Sequence, residues 1–225
     1  GREEEGPVAA RSVPVCVFAK PPRPGRAKTR LAARVGDEAA CRLATAFISD
    51  ALLCASRHPW ALPVLATTED GLPEGAFPQA AYPAEDHLPE GPGGVERWLQ
   101  PPGDLGAKIE GIVCQGLKRS PYVLCCGADS PGRPERRLEE ALAALRGGAD
   151  AVLGPTEDGG YDVFALRAAC PEGLLEGLPW SQPTTFAATL RRFEERGLQV
   201  AVLDKWWDVD EVEDLQNLET LLQGE

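Results

Sequence analysis

Residues 13–31 read VPVCVFAKPPRPGRAKTRL, and this stretch decides how the fold is interpreted. Its first part, residues 13–19, is a short apolar run rich in valine, which predicts a buried first β-strand. The segment that follows contains three prolines and a glycine, so we expect no helix or strand to persist between residues 20 and 30. The stretch therefore predicts a loop at the carboxyl end of a strand, where open α/β sheets bind their ligands.

Outside this stretch, strand-like apolar runs alternate with segments of helical spacing. We predict further strands over residues 63–68, 122–127, 150–154, 161–166 and 199–203. We predict helices over residues 37–57, 104–118, 134–146, 184–196 and 211–222. Residues 69–102 are rich in glycine and proline, and there we expect loops with one or two short strands.

This alternation is typical of an α/β fold with a mostly parallel central sheet that helices cover on both faces. No linker rich in proline or serine separates two cores. We therefore expect a single domain over residues 13–225, preceded by a loosely ordered tail over residues 1–12.

The 225-residue chain is acidic overall, with a formal net charge of −12. This charge disfavours nucleic acid and anionic membranes as partners. We find no apolar run of about 18 residues, so we expect no membrane span, and we expect a cytoplasmic protein. The seven cysteines include no CxxC pair, which predicts reduced thiols rather than disulfides or a zinc site. We expect His58 and His87 at the surface, and the oligomeric state stays open.

A basic segment interrupts this acidic background. It covers residues 20–34, contains no acidic residue and carries six cations, Lys20, Arg23, Arg26, Lys28, Arg30 and Arg34. Basic side chains and the backbone N–H groups of a glycine-containing loop both bind phosphate oxygens. We therefore predict that nucleotide phosphates bind at Lys20, Gly25, Arg26, Lys28 and Arg30. The alternative is a solvated surface loop, since the segment matches neither a Walker A loop nor a GxGxxG motif.

Acidic residues follow three other predicted strands. They are Asp129, then Asp158 in the turn Asp158-Gly159-Gly160, and finally the pair Asp208 and Asp210. Carboxylates at strand ends suit Mg²⁺ or Mn²⁺, which bridge to substrate phosphates, and the two glycines would let a ligand approach the backbone. Each signal has a plainer structural alternative, because Asp129 and Asp210 are placed to cap the following helices and a simple hairpin explains the turn.

Taken in order, these motifs resemble the DUF2064 family, a group of GT-A-like proteins often labelled glycosyltransferases. The stretch from Lys20 to Leu31 resembles the family's KxPxxGxxKTRL signature, the most specific element of the match. Further along, GDLG at residues 103–106, GADSP at 127–131, DGGY at 158–161, WS at 180–181 and DVD at 208–210 follow the family's order. The basic loop and the DGG turn are also similar to those of the phospholactate guanylyltransferases.

The resemblance implies the nucleotide-diphospho-sugar transferase fold, a divalent metal at Asp129 and a second metal contact at Asp208 or Asp210. It also implies that Asp104, in its glycine-containing loop, faces the nucleobase or ribose. With these roles, we predict Asp129, Asp158 and Lys28 as the catalytic residues, and Gly159 and Gly160 as part of the nucleotide site.

Three functions fit these residues. The first is a metal-dependent glycosyltransferase with a nucleotide sugar as donor, which the family label favours. The second is a nucleotidyltransferase that uses a nucleoside triphosphate and a small acceptor bearing a phosphate or phosphonate, which the number of cations in the loop favours. The third is a nucleotide-binding protein without catalysis. For the two transferases, the partners are a nucleotide sugar or a nucleoside triphosphate and a small-molecule acceptor, and we expect the acceptor near residues 69–102, Trp180 and Trp206.

Overall fold

Strands and helices alternate along residues 12–68, 94–167 and 172–224, the part of the chain that this computed structural model describes. The strands are β1 Val13–Phe18, β2 Ala61–Thr67, β3 Glu96–Leu99, β4 Tyr122–Gly127, β5 Ala151–Pro155, β6 Tyr161–Arg167 and β7 Val200–Val202. The helices are α1 Thr29–Val35, α2 Asp37–Ser56, α3 Leu105–Leu117, α4 Arg136–Arg146, α5 Thr185–Glu195 and α6 Val212–Gln223. The described residues leave out the predicted tail up to residue 11. They also leave out residues 69–93, which hold most of the predicted loop region and His87.

The strands form one sheet in the order β3-β2-β1-β4-β6-β5-β7. Parallel pairs join β1 to β2 and β4, β2 to β3, and β5 to β7. Strand β6 runs antiparallel to both of its neighbours, β4 and β5. The predicted α/β fold with a mostly parallel sheet is therefore confirmed, and six strands direct their carboxyl ends to the same edge.

Helices cover both faces of this sheet. On one face, Leu52 of α2 and Leu142 of α4 share a core with Val15 of β1. On the other, Ile112 of α3 and Phe193 of α5 share a second core with Cys16 of β1. Neighbouring residues of a strand point to opposite faces, which explains why the continuous apolar run of β1 is buried on both sides.

The boundaries agree closely with the sequence except at α1. This helix begins at Thr29, inside the segment where we predicted that no helix persists. The last proline of the segment is Pro24, and Lys28 immediately before the helix adopts a left-handed conformation, with φ 47° and ψ 53°. The prediction therefore holds for residues 20–28 and is wrong only for Thr29 and Arg30, the last two residues of the segment.

Two further predictions are wrong. His58 is buried rather than on the surface, and its Nδ1 lies 3.1 Å from Oε1 of Glu139 on α4. Cys114 is disulfide-bonded, whereas the predicted free thiol is present at Cys16, Cys41, Cys54, Cys125 and Cys126.

Helix α2 has the length and apolar composition that a membrane-spanning helix needs. It nevertheless lies against the sheet, and Phe47, Ile48 and Leu52 are buried in the protein. Acidic residues also stand within it, at Asp37, Glu38 and Asp50. We interpret α2 as a core helix, because one face is covered by the protein itself.

Candidate functional site

Four segments meet at the carboxyl edge of the sheet, because the parallel strands end there together. The basic loop follows β1, Asp129 follows β4, the DGG turn joins β5 to β6, and residues 203–211 follow β7. Residues 203–211 then run along the end of β5, where Trp206 N–H donates to the Pro155 carbonyl at 2.9 Å. They reach β4, where Val209 N–H donates to the Asp129 carbonyl at 2.8 Å. The acids that the sequence singled out are thus carried by backbone segments that bond to one another.

Some cations of the basic loop are exposed to solvent, and one, Lys28, has a buried side chain. Lys20, Arg26 and Arg30 are exposed, and Arg30 Nη1 lies 4.0 Å from Glu211 Oε1. Gly25 has φ +77°, a conformation that costs other residues energy, and it allows the backbone to turn so that Arg26 and Ala27 donate to the Arg23 carbonyl. The exposed cations are accessible to an anion from solution.

Lys28 has a different environment. Its side chain is only 8% exposed, and its Nζ lies 2.7 Å from Asp129 Oδ1 and 3.3 Å from Asp210 Oδ1. The same Nζ donates to the Val209 carbonyl at 2.6 Å. The left-handed backbone at this residue, rare for a side chain that is not glycine, directs Lys28 to the acids. Lys28 therefore joins the end of β4 to residues 209–210.

Three carboxylates converge beside this lysine. Oxygens of Asp158, Asp208 and Asp210 all lie within 4.8 Å of one another. Asp129, which we predicted as the principal metal ligand, is not one of these three and is linked to them through Lys28. A set of three carboxylate oxygens is the chemistry that Mg²⁺ and Mn²⁺ prefer, so the residues fit such a cation.

Asp208 is a half-buried member of this acid triad, which we define as Asp158, Asp208 and Asp210. Burial raises the pKa of Asp208 to about 6; the hydrogen bond from Ser130 Oγ opposes the shift, and the charges of Asp158 and Asp129 add to it. Removing a carboxylate from water and placing it beside like charges both disfavour its ionised form. A bound cation would relieve this repulsion, which is a second reason why the triad suits a metal.

The DGG turn holds Asp158 in place. Asp158 Oδ1 accepts from Thr156 Oγ1 at 2.6 Å and from Gly160 N–H at 3.0 Å. Gly159 has φ +88°, and a Cβ there would collide with the carbonyl group of Pro183. Gly159 therefore has no side chain because the backbone of Pro183 packs against it, a role that the sequence did not suggest.

Asp104 caps α3, since its Oδ1 accepts from Ala107 N–H at 2.9 Å. It follows β3, which lies at the opposite end of the sheet from β7. The structure therefore places Asp104 at the carboxyl edge but does not bring it into the acid triad. Its predicted contact with the nucleobase or ribose stays a prediction.

Sequence reasoning missed a buried ionic cluster beneath the site, formed by Arg133, Arg137 and Asp162. All three side chains are at most 4% exposed. The available signal was Asp162, an acid in the second position of strand β6 and next to the apolar run of residues 163–166. By contrast, Arg133 and Arg137 stand in a highly charged segment, GRPERR, which is typical of an exposed helix start.

Comparisons with known proteins agree with the fold. The model of a family described as "Uncharacterized protein conserved in bacteria (DUF2064)" matches residues 53–182. No curated protein matches the chain.

Among solved structures, a protein of Desulfovibrio desulfuricans G20, provisionally named a nucleotide-diphospho-sugar transferase, is 27% identical with a TM-score of 0.77, over 92% of this chain and 86% of that one. CMP:2-keto-3-deoxy-manno-octonic acid synthetase, complexed with CTP, is 14% identical with a TM-score of 0.55, over 95% and 99% of the two chains. Glucosyl-3-phosphoglycerate synthase of Mycobacterium tuberculosis, complexed with Mn²⁺ and UDP, is 11% identical with a TM-score of 0.52, over 95% and 76%.

Proposed function

The chain belongs to the DUF2064 family, and from this premise we propose that it is a divalent-metal-dependent transferase with a nucleotide sugar as donor. The observation that carries the proposal is the acid triad, whose oxygens lie within 4.8 Å of one another. The triad stands at the sheet edge where α/β proteins bind ligands. The neighbour from Desulfovibrio desulfuricans G20, provisionally named a nucleotide-diphospho-sugar transferase, supports the donor class.

In this proposal the triad residues hold Mg²⁺ or Mn²⁺. A divalent cation, when bound, neutralises charge on the diphosphate and so makes it a better leaving group. Lys20, Arg26 and Arg30, with the loop at Gly25, bind the phosphate oxygens, because their charges are exposed beside the site and arginine binds phosphate through two parallel hydrogen bonds.

Lys28 and Asp129 complete the proposed site. With its Nζ 2.7 Å from Asp129 Oδ1, Lys28 holds that carboxylate and, through Asp210, one edge of the triad. It reaches a phosphate by exchanging one of these oxygen partners for a phosphate oxygen. Asp129, whose side chain is 58% exposed, faces the space that a substrate enters.

A second candidate function is nucleotidyl transfer from a nucleoside triphosphate. The observation that favours it is the presence of three exposed cations: Lys20 and Arg26 in the loop, and Arg30 at the start of α1. This is more positive charge than a diphosphate requires. A related fold is known in complex with CTP. In this case the same triad and loop bind the triphosphate, and the acceptor attacks the α-phosphate.

Calorimetric titration distinguishes these functions. A panel of nucleotide sugars and nucleoside triphosphates is titrated into the protein with Mn²⁺ and again with EDTA. Tight, Mn²⁺-dependent binding of one nucleotide sugar supports glycosyl transfer and identifies the donor, whereas preference for a triphosphate supports nucleotidyl transfer.

The matched variants are Asp208→Asn, in the triad, and Asp150→Asn, which changes an acid paired with Arg167 at the opposite edge of the sheet. We expect Asp208→Asn to lose the Mn²⁺ dependence and Asp150→Asn to keep it. Equal binding by both variants with and without Mn²⁺ would remove the metal from the proposal.

A further inference from the structure

The buried cluster of Arg133, Arg137 and Asp162 has an unusual composition, because two arginines surround one carboxylate. Arg133 Nε donates to Asp162 Oδ2 at 2.8 Å, and Arg137 Nη2 donates to Asp162 Oδ1 at 2.7 Å. Arg137 Nε lies 3.2 Å from both oxygens of the same carboxylate. The remaining guanidinium N–H groups need acceptors, since buried donors without partners are costly.

Those acceptors are three backbone carbonyls, and each belongs to a segment that carries a candidate site acid. Arg133 Nη2 donates to the Gly127 carbonyl at 2.9 Å. Arg137 donates to the Pro155 carbonyl at 3.3 Å and, through Nη1, to the Asp204 carbonyl. Gly127, Pro155 and Asp204 precede Asp129, Asp158 and Asp208 by two, three and four residues. The cluster thus bonds to the base of every segment that supplies an acid.

Gly154 on β5 makes room for this arrangement. A Cβ at that position would lie 2.8 Å from Arg137 Nη2 and 3.0 Å from Asp162 Oδ1. Both contacts are closer than ordinary packing allows, so any larger residue would push the arginine and the aspartate apart. Gly154 is not in a left-handed conformation, and its lack of a side chain is explained by the cluster.

Stability alone does not account for the cluster. Burying charges carries a desolvation penalty, and apolar side chains of similar volume often stabilise a fold equally well or better. Guanidinium forks, in contrast, fix the positions of several acceptors at once. The geometry of three acid-bearing segments is what this cluster fixes.

We propose that Arg133, Arg137 and Asp162 are positioning residues, which hold the segments of Asp129, Asp158 and Asp208 at the spacing that the metal and nucleotide site requires. The proposal rests on the proposed function for its metal, and on the hydrogen bonds of the cluster for its geometry. Residues that support metal ligands from behind typically change metal affinity by 10- to 100-fold when replaced.

The test variant is Arg137→Lys, which keeps the positive charge but has one nitrogen where arginine places three. Hydrogen exchange of the metal-free protein is measured at the amides of Glu157, Trp206 and Val209, which bond across these segments. We expect exchange at these amides to become roughly 10-fold faster, while amides of β1 and β4 keep their rates. Unchanged exchange at the three amides, or an equal acceleration throughout the sheet, would overturn the proposal.

Two controls separate positioning from stability. Leu145→Ala truncates a fully buried core residue of α4 without removing a contact of the cluster, and we expect it to leave the three amides slower than in Arg137→Lys. Gly154→Ala keeps all three charged residues and displaces them, and we expect the same local acceleration as in Arg137→Lys. The same acceleration in Leu145→Ala, or its absence in Gly154→Ala, would count against the proposal.

Mn²⁺ titration gives the second readout. We expect the dissociation constant of Arg137→Lys to rise by roughly 10-fold or more, and that of Leu145→Ala to stay within about twofold of the wild type. Equal affinity of Arg137→Lys and wild type would overturn the proposal. If the wild type itself binds no Mn²⁺, the proposed function fails, and the exchange pattern still decides whether the cluster positions these segments.

Discussion

Replacing Asp162 by asparagine removes the only acidic member of the buried cluster while nearly preserving its shape. The carboxylate accepts from Arg133 Nε and from Arg137 Nε and Nη2, and its side chain is 1% exposed. Asparagine leaves both guanidinium charges buried without a counter-charge, and its NH₂ group faces N–H donors. Breaking a buried pair by removing one partner costs about 3–5 kcal/mol.

We therefore expect Asp162→Asn to lower the free energy of unfolding by about 3–5 kcal/mol. In a domain of this size, such a loss lowers the melting temperature by roughly 6–20 °C. Urea unfolding followed by tryptophan fluorescence measures the change. The control is Asp150→Asn, which breaks a partly exposed pair with Arg167 and should cost no more than about 1 kcal/mol. A loss below about 1 kcal/mol for Asp162→Asn would refute the reasoning that these charges depend on one another.

Three other substitutions test separate parts of the account. Lys28→Ala should weaken nucleotide binding by about 1.5–3 kcal/mol, because a charged hydrogen-bond donor is lost; calorimetry would show wild-type affinity if Lys28 has no such role. Gly159→Ala should destabilise the fold by more than about 2 kcal/mol, since the added methyl group collides with Pro183. The control is Gly177→Ala, which is also at positive φ but has open space around it, and it should cost only about 1–2 kcal/mol. Equal losses of stability in the two variants would contradict the packing argument. In EDTA, Asp208→Asn should stabilise the protein at pH 7.5 and not at pH 4, because burial raises the pKa of Asp208 from 3.8 to about 6. The stability that protonated Asp208 contributes is fully present below its pKa in the unfolded chain, and it is lost as the pH rises through about 6. Unfolding curves in which Asp208→Asn is no more stable than the wild type at pH 7.5 would contradict this environment.

Much of the fold was predictable because the apolar pattern is regular. The run at residues 13–19 has the features of a strand buried on both faces, and the structure shows β1 between β2 and β4. The helix predicted over residues 104–118 is α3, Leu105–Leu117. Helix α1 was not predicted. It begins after the left-handed Lys28, whose side chain contacts Asp129 and Asp210, about 100 and 180 residues away in the sequence.

The candidate site was predictable as a set of residues but not as a set of contacts. Strand ends indicated which acids would lie at one edge, yet the sequence does not show how residues 203–211 cross from β7 to β4. That path places Asp208 and Asp210 beside Asp158, whereas Asp129 pairs with Lys28. His58 was mispredicted for a similar reason, because its partner Glu139 is 81 residues away.

The buried cluster of Arg133, Arg137 and Asp162 could not be predicted from the sequence pattern. A charged run such as residues 132–137 is usually solvated, but here Arg133 and Arg137 are buried where α4 packs against β4, β5 and β6. The resemblance to the DUF2064 family, in contrast, was correct from the motifs alone, and the family model confirms it.

A crystal of the wild-type protein grown with Mn²⁺ and a nucleotide tests the central claim most directly, through the anomalous scattering of manganese. We predict a single strong peak among Asp158, Asp208 and Asp210, with carboxylate oxygens at roughly 2.1 Å. A peak at other residues, with these three carboxylates free of metal, or no peak while the nucleotide is bound, would contradict the assignment of the triad as the metal site.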